Sequence, residues 1–104
     1  MDKLFEALAS APRRQILAFL SATELTTSEL AERFAMSAPA ISRHLSVLEN
    51  AGLVTSERRG QFVYYQFNSD SLVNSLSSFM FDLCPVAGPL KKESKKLAKQ
   101  RQPR

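Results

Sequence analysis

Three groups of side chains in this 104-residue chain have types and spacings suited to chemistry, and each suits holding a polyanion. The first lies in Ser37-Ala38-Pro39-Ala40-Ile41-Ser42-Arg43-His44-Leu45-Ser46-Val47-Leu48. Ile41, Leu45 and Leu48 recur at i, i+4 and i+7, so they mark the inward face of a helix. At about 100° per residue, Arg43 then points almost directly away from that face. A guanidinium so presented can donate twice, to guanine O6 and N7, for about 1–3 kcal/mol of discrimination. Small residues at Ala38 and Ala40 permit close approach to a groove, and Ala40 can touch a thymine methyl. Ser42 and Ser46 offer hydroxyls to phosphates or base edges, and Ser37 stands at the same helix start. His44 falls at the edge of the inward face, where a half-buried ring bonded to backbone and a phosphate contact are equally suited. It is the only histidine, which makes it a poor metal ligand.

The second group is Arg58, Arg59 and Gln61 around Gly60. Extended, β-branched and aromatic sequence flanks them, so they sit at a hairpin tip, able to follow a DNA backbone or enter a narrow minor groove. The alternative is a solvated turn that keeps a sheet edge from aggregating. The third group is the run from residue 91 to 104, where Lys91, Lys92, Lys95, Lys96, Lys99, Arg101 and Arg104 face only Glu93. This run carries +6, while residues 1–90 hold 7 basic and 9 acidic groups, a net −2. The high pI of about 9.6 therefore comes from the tail. DNA affinity in the body must rest on the local placement of Arg13, Arg14, Arg33, Arg43, Arg58 and Arg59.

The elements that position these groups follow from caps and periodicity. Asp2 can cap a first helix with Leu4, Phe5 and Leu8 on one face. Pro12 suits the first turn of a second, reaching about Ala22, with Ile16, Leu17 and Leu20 inward. Thr26 and Glu29 have capping-box spacing for a third that ends near Phe34. Ala35-Met36-Ser37 makes a tight connection, and Ser37 caps the fourth helix, which stops at Ala51-Gly52. Residues 54–59 and 61–67 form the hairpin, with one of Tyr64 and Tyr65 inward. Asn68-Ser69-Asp70 caps a fifth helix bearing Leu72, Leu76, Phe79, Met80 and Leu83, which Cys84-Pro85 and Gly88-Pro89 are expected to end. Four helices, a hairpin wing and a last helix make a mainly α winged helix-turn-helix, whose second paired helix can lie in a major groove.

Length allows one small domain, for which help from a partner subunit is unsurprising. We expect residues 1–88 to form the DNA-binding and dimerisation domain and residues 89–104 a flexible basic tail, with a frayed helix permitted. No apolar run approaches the roughly 20 residues of a membrane-spanning helix, and the N-terminus lacks a secretory layout. The expectation is a soluble cytoplasmic protein. One histidine and one cysteine far apart, no glycine-rich phosphate loop and no carboxylate cluster argue against an enzyme or a cofactor.

The run from Leu30 to Leu48, the run from Leu8 to Leu17, and Gly52-Leu53-Val54 followed by Arg59-Gly60-Gln61 resemble the ArsR/SmtB family of bacterial repressors. The resemblance covers about residues 2–84 and looks closest to the metal-independent branch of SdpR-type autorepressors. It implies a homodimer built through the first and last helices, bound to a two-fold symmetric operator in double-stranded DNA and blocking transcription, often of its own operon. Leu4, Phe5, Leu8, Leu72, Leu76, Phe79, Met80 and Leu83 are the expected interface, since the last helix has more apolar surface than one small core face needs. Such a two-fold would set two recognition helices roughly 34 Å apart.

The chain departs from the family where metals are sensed. Cys-x-Cys is replaced by Leu25-Thr26-Thr27-Ser28-Glu29-Leu30, and the last helix offers Asp70 and Asp82 without histidine, so neither set builds a closed zinc site. Two other readings stay open here. One is a redox-responsive repressor acting through Cys84, by a bridge to its twin or by sulfenic acid formation. The other is a winged-helix module that binds protein, favoured by the −2 body charge. No feature names a small-molecule effector.

Overall fold

The computed structural model describes residues 2–101, the side chains of residues 84–87 excepted. Five helices and three strands follow in the order α1 (Asp2–Leu8), α2 (Ala11–Leu20), β1 (Leu25–Thr26), α3 (Thr27–Phe34), α4 (Ala38–Asn50), β2 (Val54–Arg59), β3 (Phe62–Phe67) and α5 (Ser69–Lys99). Each helix start matches a side chain suited to it. Ser10 caps α2, with Pro12 in the first turn. The capping box closes on α3: Thr26 Oγ1 accepts from Glu29 N at 3.2 Å, and Glu29 Oε1 accepts from Thr26 N at 3.0 Å. Ser37 Oγ accepts from Ala40 N at 3.2 Å to start α4. Asp2 lies inside the first turn of α1, where its carboxylate meets the positive end of the helix.

The connection between α3 and α4 turns on Ala35, which holds φ +52°. Met36 N donates to Ala31 O at 3.1 Å and Ala35 N to Glu32 O at 3.4 Å, the pairing of a Schellman stop. Glycine usually takes this position, since a Cβ there costs about 1–2 kcal/mol. A second left-handed turn, Gly52 at φ +76°, redirects the chain from α4 into β2.

One cluster holds these pieces together. Leu4, Ala7, Ile16, Leu17, Leu20, Leu30, Ile41, Leu45, Leu48, Leu53 and Val54 are all buried. Phe34, Met36, Tyr65, Leu72 and Leu76 pack against them partly covered. Tyr65 is thus the inward member of the tyrosine pair, and Tyr64 lies on the other face of β3.

Three outcomes correct the sequence reading. The wing is a three-stranded antiparallel sheet ordered β1-β3-β2, with Leu25 opposite Tyr65 and Thr26 opposite Tyr64. A two-residue strand has no periodicity to reveal it. Leu4, expected at a subunit interface, is only 4% exposed and belongs to the monomer core. Finally, α5 does not end at residues 84–89 but runs unbroken to Lys99, 31 residues in all. Pro85 and Pro89 cannot donate to the carbonyls four residues earlier, so the helix continues there with two backbone hydrogen bonds missing.

The two left-handed positions make opposite predictions for stability. Ala35→Gly should stabilise by up to about 1 kcal/mol, while Gly52→Ala should cost about 1–2 kcal/mol; a Cβ at Gly52 would also stand 3.2 Å from Ser71 Oγ. Urea unfolding of both variants checks this, and changes of the same sign would show that backbone conformation does not limit stability there.

Candidate nucleic-acid interface

The geometry of α4 follows from its buried row. Ile41, Leu45 and Leu48 are completely buried, which fixes the helix's rotation and leaves Ser37, Ala38, Pro39, Ser42, Arg43 and Ser46 exposed. Ala40 and His44 sit half-buried at the margin. Arg43 emerges from the middle of this face among side chains too short to obstruct it. Ser37 Oγ is already engaged as the helix cap, so its contribution to a ligand is backbone and steric.

The wing is set beside α4 by a contact between them. Ser56 Oγ donates to Glu49 Oε2 at 2.7 Å, and Leu53 and Val54 at the base of β2 are buried in the common core. Arg59 pairs with Phe62 across the hairpin, leaving a two-residue turn, Gly60-Gln61. Gly60 holds φ +62°, the conformation wanted at the first position of such turns. Arg58 and Gln61 are exposed at this tip, and Arg58 Nε donates to Gly60 O at 3.3 Å.

The six arginines of the body divide by what already holds them. Arg13 donates from Nε to Ala7 O at 2.9 Å and from Nη2 to Glu6 O at 2.8 Å. Arg14 donates to Leu8 O at 2.6 Å. Both therefore satisfy the open carbonyls at the end of α1. The Arg33 guanidinium lies 4.8 Å from the centre of the Phe19 ring and 5.6 Å from that of Phe34. Arg59 is ion-paired to Glu24 through both terminal nitrogens, with Nη2 at 2.8 Å from Glu24 Oε2 and 3.0 Å from Glu57 Oε2. Its guanidinium also covers the Tyr64 ring at 4.8 Å. Hydrogen bonds to Glu24 and then Glu57 raise its pKa, and Arg59 in turn lowers that of Glu57. Among the described body arginines, Arg59 is the one paired with carboxylates, Arg58 makes only its bond to Gly60 O, and Arg43 stands exposed. The Glu24 pairing joins residues 35 apart in sequence, and no local pattern announces it.

His44 is half-buried, and its hydrogen-bond partner is a side chain where the sequence reading had backbone. Its Nδ1 lies 3.4 Å from Arg13 Nη1, a geometry that makes Nδ1 the acceptor and leaves Nε2–H directed elsewhere. Burial first, then the positive charges of Arg13 and Arg43, pushes its pKa below the ordinary 6.5. The ring is therefore neutral at pH 7.

The apolar residues at the opposite side form a second surface. Phe5 is 42% exposed, Met80 64% and Leu83 49%. Phe5 meets Phe79 edge-to-face at 5.1 Å, while Leu8, Leu72 and Leu76 pack partly against the monomer core. Phe81, 76% exposed, was missed in the sequence because it falls off the inward stripe of α5. The thiol of Cys84 lies outside the described residues. Among the described residues no group of three or more potential metal ligands occurs, and no helix is long and apolar enough to cross a membrane.

Residues 11–56 match the model of the bacterial regulatory protein family arsR. The transcriptional repressor SdpR of Bacillus subtilis is 38% identical over 77 residues, 74% of this chain and 86% of the relative. An ArsR-like transcriptional regulator from Rhodococcus superimposes with a TM-score of 0.74 at 27% identity, covering 97% of this chain and 92% of the other. The homodimeric winged helix-turn-helix DNA-binding domain of a possible ArsR-family regulator from Mycobacterium bovis gives 0.65 at 29% identity, covering 78% and 77%.

Two measurements probe the site's electrostatics. A depressed histidine pKa favours the fold fully above pH 6.5, and that stability is lost as pH falls through the lowered value. His44→Gln should therefore flatten the acid limb of a stability–pH profile; identical slopes would show that another group controls it. Glu24→Gln should free Arg59, raising affinity for random duplex and steepening its dependence on log salt by about 1. An unchanged slope would mean that Arg59 does not reach phosphate.

Proposed function

The chain belongs to the ArsR family of bacterial regulatory proteins, and from that premise we propose that it is a homodimeric repressor acting on a two-fold symmetric operator. It is a DNA-binding transcriptional regulator and not an enzyme. The observation that carries the reading is the exposed, unpaired Arg43 on a helix whose rotation three buried residues fix. In this reading α4 enters the major groove, Arg43 donates to a guanine edge, and Ser42 and Ser46 flank it on phosphates and base edges. Ala38 and Ala40 bring the helix start close to the groove. Arg58 and Gln61 at the wing tip follow the adjoining backbone or minor groove, with Arg59 available once Glu24 yields it. His44 positions α4 through Arg13 and does not contact phosphate directly.

The dimer uses Phe5, Phe79, Met80 and Leu83, with Leu8, Leu72 and Leu76 behind them. A two-fold through this surface sets two recognition helices roughly 34 Å apart, one DNA turn. Repression of the protein's own operon is the setting that completes this reading. A protein-binding module without DNA affinity is not favoured, because Arg43 stands exposed on the outward face of α4 and the relatives are DNA-binding regulators.

A footprint on the duplex upstream of the protein's own gene tests this. Arg43→Ala should weaken specific binding by about 1–3 kcal/mol and relax preference at one base pair of each half-site. Arg58→Ala should weaken binding evenly on all sequences and reduce the salt slope by about 1. Full binding by Arg43→Ala, with sequence preference intact, would remove α4 as the reading helix.

A further inference from the structure

Five lysines line one side of the exposed end of α5. Every residue from 88 to 101 is exposed, and the helix continues there as far as Lys99. At about 100° per residue, Lys91, Lys92, Lys95, Lys96 and Lys99 fall within an arc of about 140°. Glu93, the one carboxylate between residues 91 and 101, falls outside that arc. Leu90 and Leu97 lie on the opposite side, in line with Leu83 of the apolar stripe. The lysine arc thus faces away from the surface assigned above to the dimer, and pairing through that surface leaves it open. Residues 91–101 carry six basic groups and Glu93, a net +5.

Two ordinary roles explain only part of this row. Cations in the last turn of a helix meet the negative end of its macrodipole, but the effect fades within that turn and covers Lys96 and Lys99 alone. A lipid surface wants a broad apolar face beneath the charges. Here Leu90 and Leu97, two turns apart, are the large apolar side chains between residues 90 and 101. Duplex DNA needs no apolar face, and it carries one negative charge per about 1.7 Å of its axis. The lysine row is about 12 Å long, enough to span several phosphates. The body, at net −2, has no surplus positive charge from which to draw sequence-independent affinity. We propose that the lysine face of α5 is a second DNA-binding surface, holding duplex phosphates without regard to sequence while α4 reads the bases. Lysine suits that task, because a flexible ammonium is a point charge that meets phosphates without fixing a register. The proposal rests on the DNA-binding reading above and adds a surface beyond the helix pair and the wing.

Salt titrations on random duplex test it, comparing the full chain with the variant Lys91→Gln/Lys92→Gln/Lys95→Gln/Lys96→Gln/Lys99→Gln. Glutamine matches lysine in helix propensity, and all five positions are outside the body, so the fold should persist. Each lysine on a phosphate adds about 0.9 to the slope of log affinity against log salt, so the slope should fall by about 4 to 5 for each protomer engaged. Affinity at low salt should fall at least about tenfold. In the full chain, saturating duplex should also shield the five amines from acetic anhydride, read by mass spectrometry. An unchanged slope, or amines left fully reactive on saturating duplex, overturns the proposal; shielding by phosphatidylserine vesicles in that case assigns the face to a lipid surface. The operator footprint and its sensitivity to Arg43→Ala would then stand untouched. A full chain that binds random duplex through these lysines but protects no preferred site would instead remove the operator reading and leave this surface in place.

Discussion

The rotation of α4 about its own axis is the constraint on which everything else depends. Ile41, Leu45 and Leu48 have no solvent exposure, and burying three such side chains is worth several kcal/mol, about 1.5–3 kcal/mol each. Turning the helix by one residue would expose part of that row and carry Arg43 toward the core. The proposed recognition face is therefore not a separate device laid on the fold. It is the complement of the hydrophobic row, and the core holds it rigid.

A body with net negative charge can still offer a DNA-reading surface because its cations are allotted unevenly. Arg13 and Arg14 close the end of α1, Arg33 stacks on aromatic rings, and Arg59 is held by two carboxylates. What remains on the paired helix and the wing is Arg43, exposed on α4, and Arg58, bonded only to Gly60 O. Such a surface gives specificity more than bulk attraction, since base contacts discriminate while phosphate contacts add affinity on any sequence. Positive charge is concentrated instead in residues 91–101, at the far end of α5.

Much of this was legible in the sequence because it is written locally. Thr26 and Glu29, Ser37 with Pro39, and the i, i+4, i+7 row of α4 each specify structure within one or two turns. The outward aim of Arg43 follows from that row alone. What escaped was non-local or contrary to local preference. Glu24 and Arg59 meet only because β1 lies beside β3, and a strand as short as β1 carries no alternation. Proline at 85 and 89 is a local stop signal that α5 overrides. Leu4 and Phe5 are neighbours of similar character; which of them is buried depends on how α1 sits on α2 and α4, and periodicity over seven residues does not decide it.

Arg13 is more than an end-cap. One guanidinium holds the last carbonyls of α1 and, at 3.4 Å, the ring of His44 on α4. The helix adjoining Phe79 and the helix bearing Arg43 are thus tied through a single planar group with little freedom to yield. Any partner that reseats α1 would be felt by α4 within one side chain, and linkage requires the effect to run equally in reverse. Occupancy of an operator would then tighten subunit association by the same factor by which association sharpens occupancy, a cooperativity with no effector molecule in it.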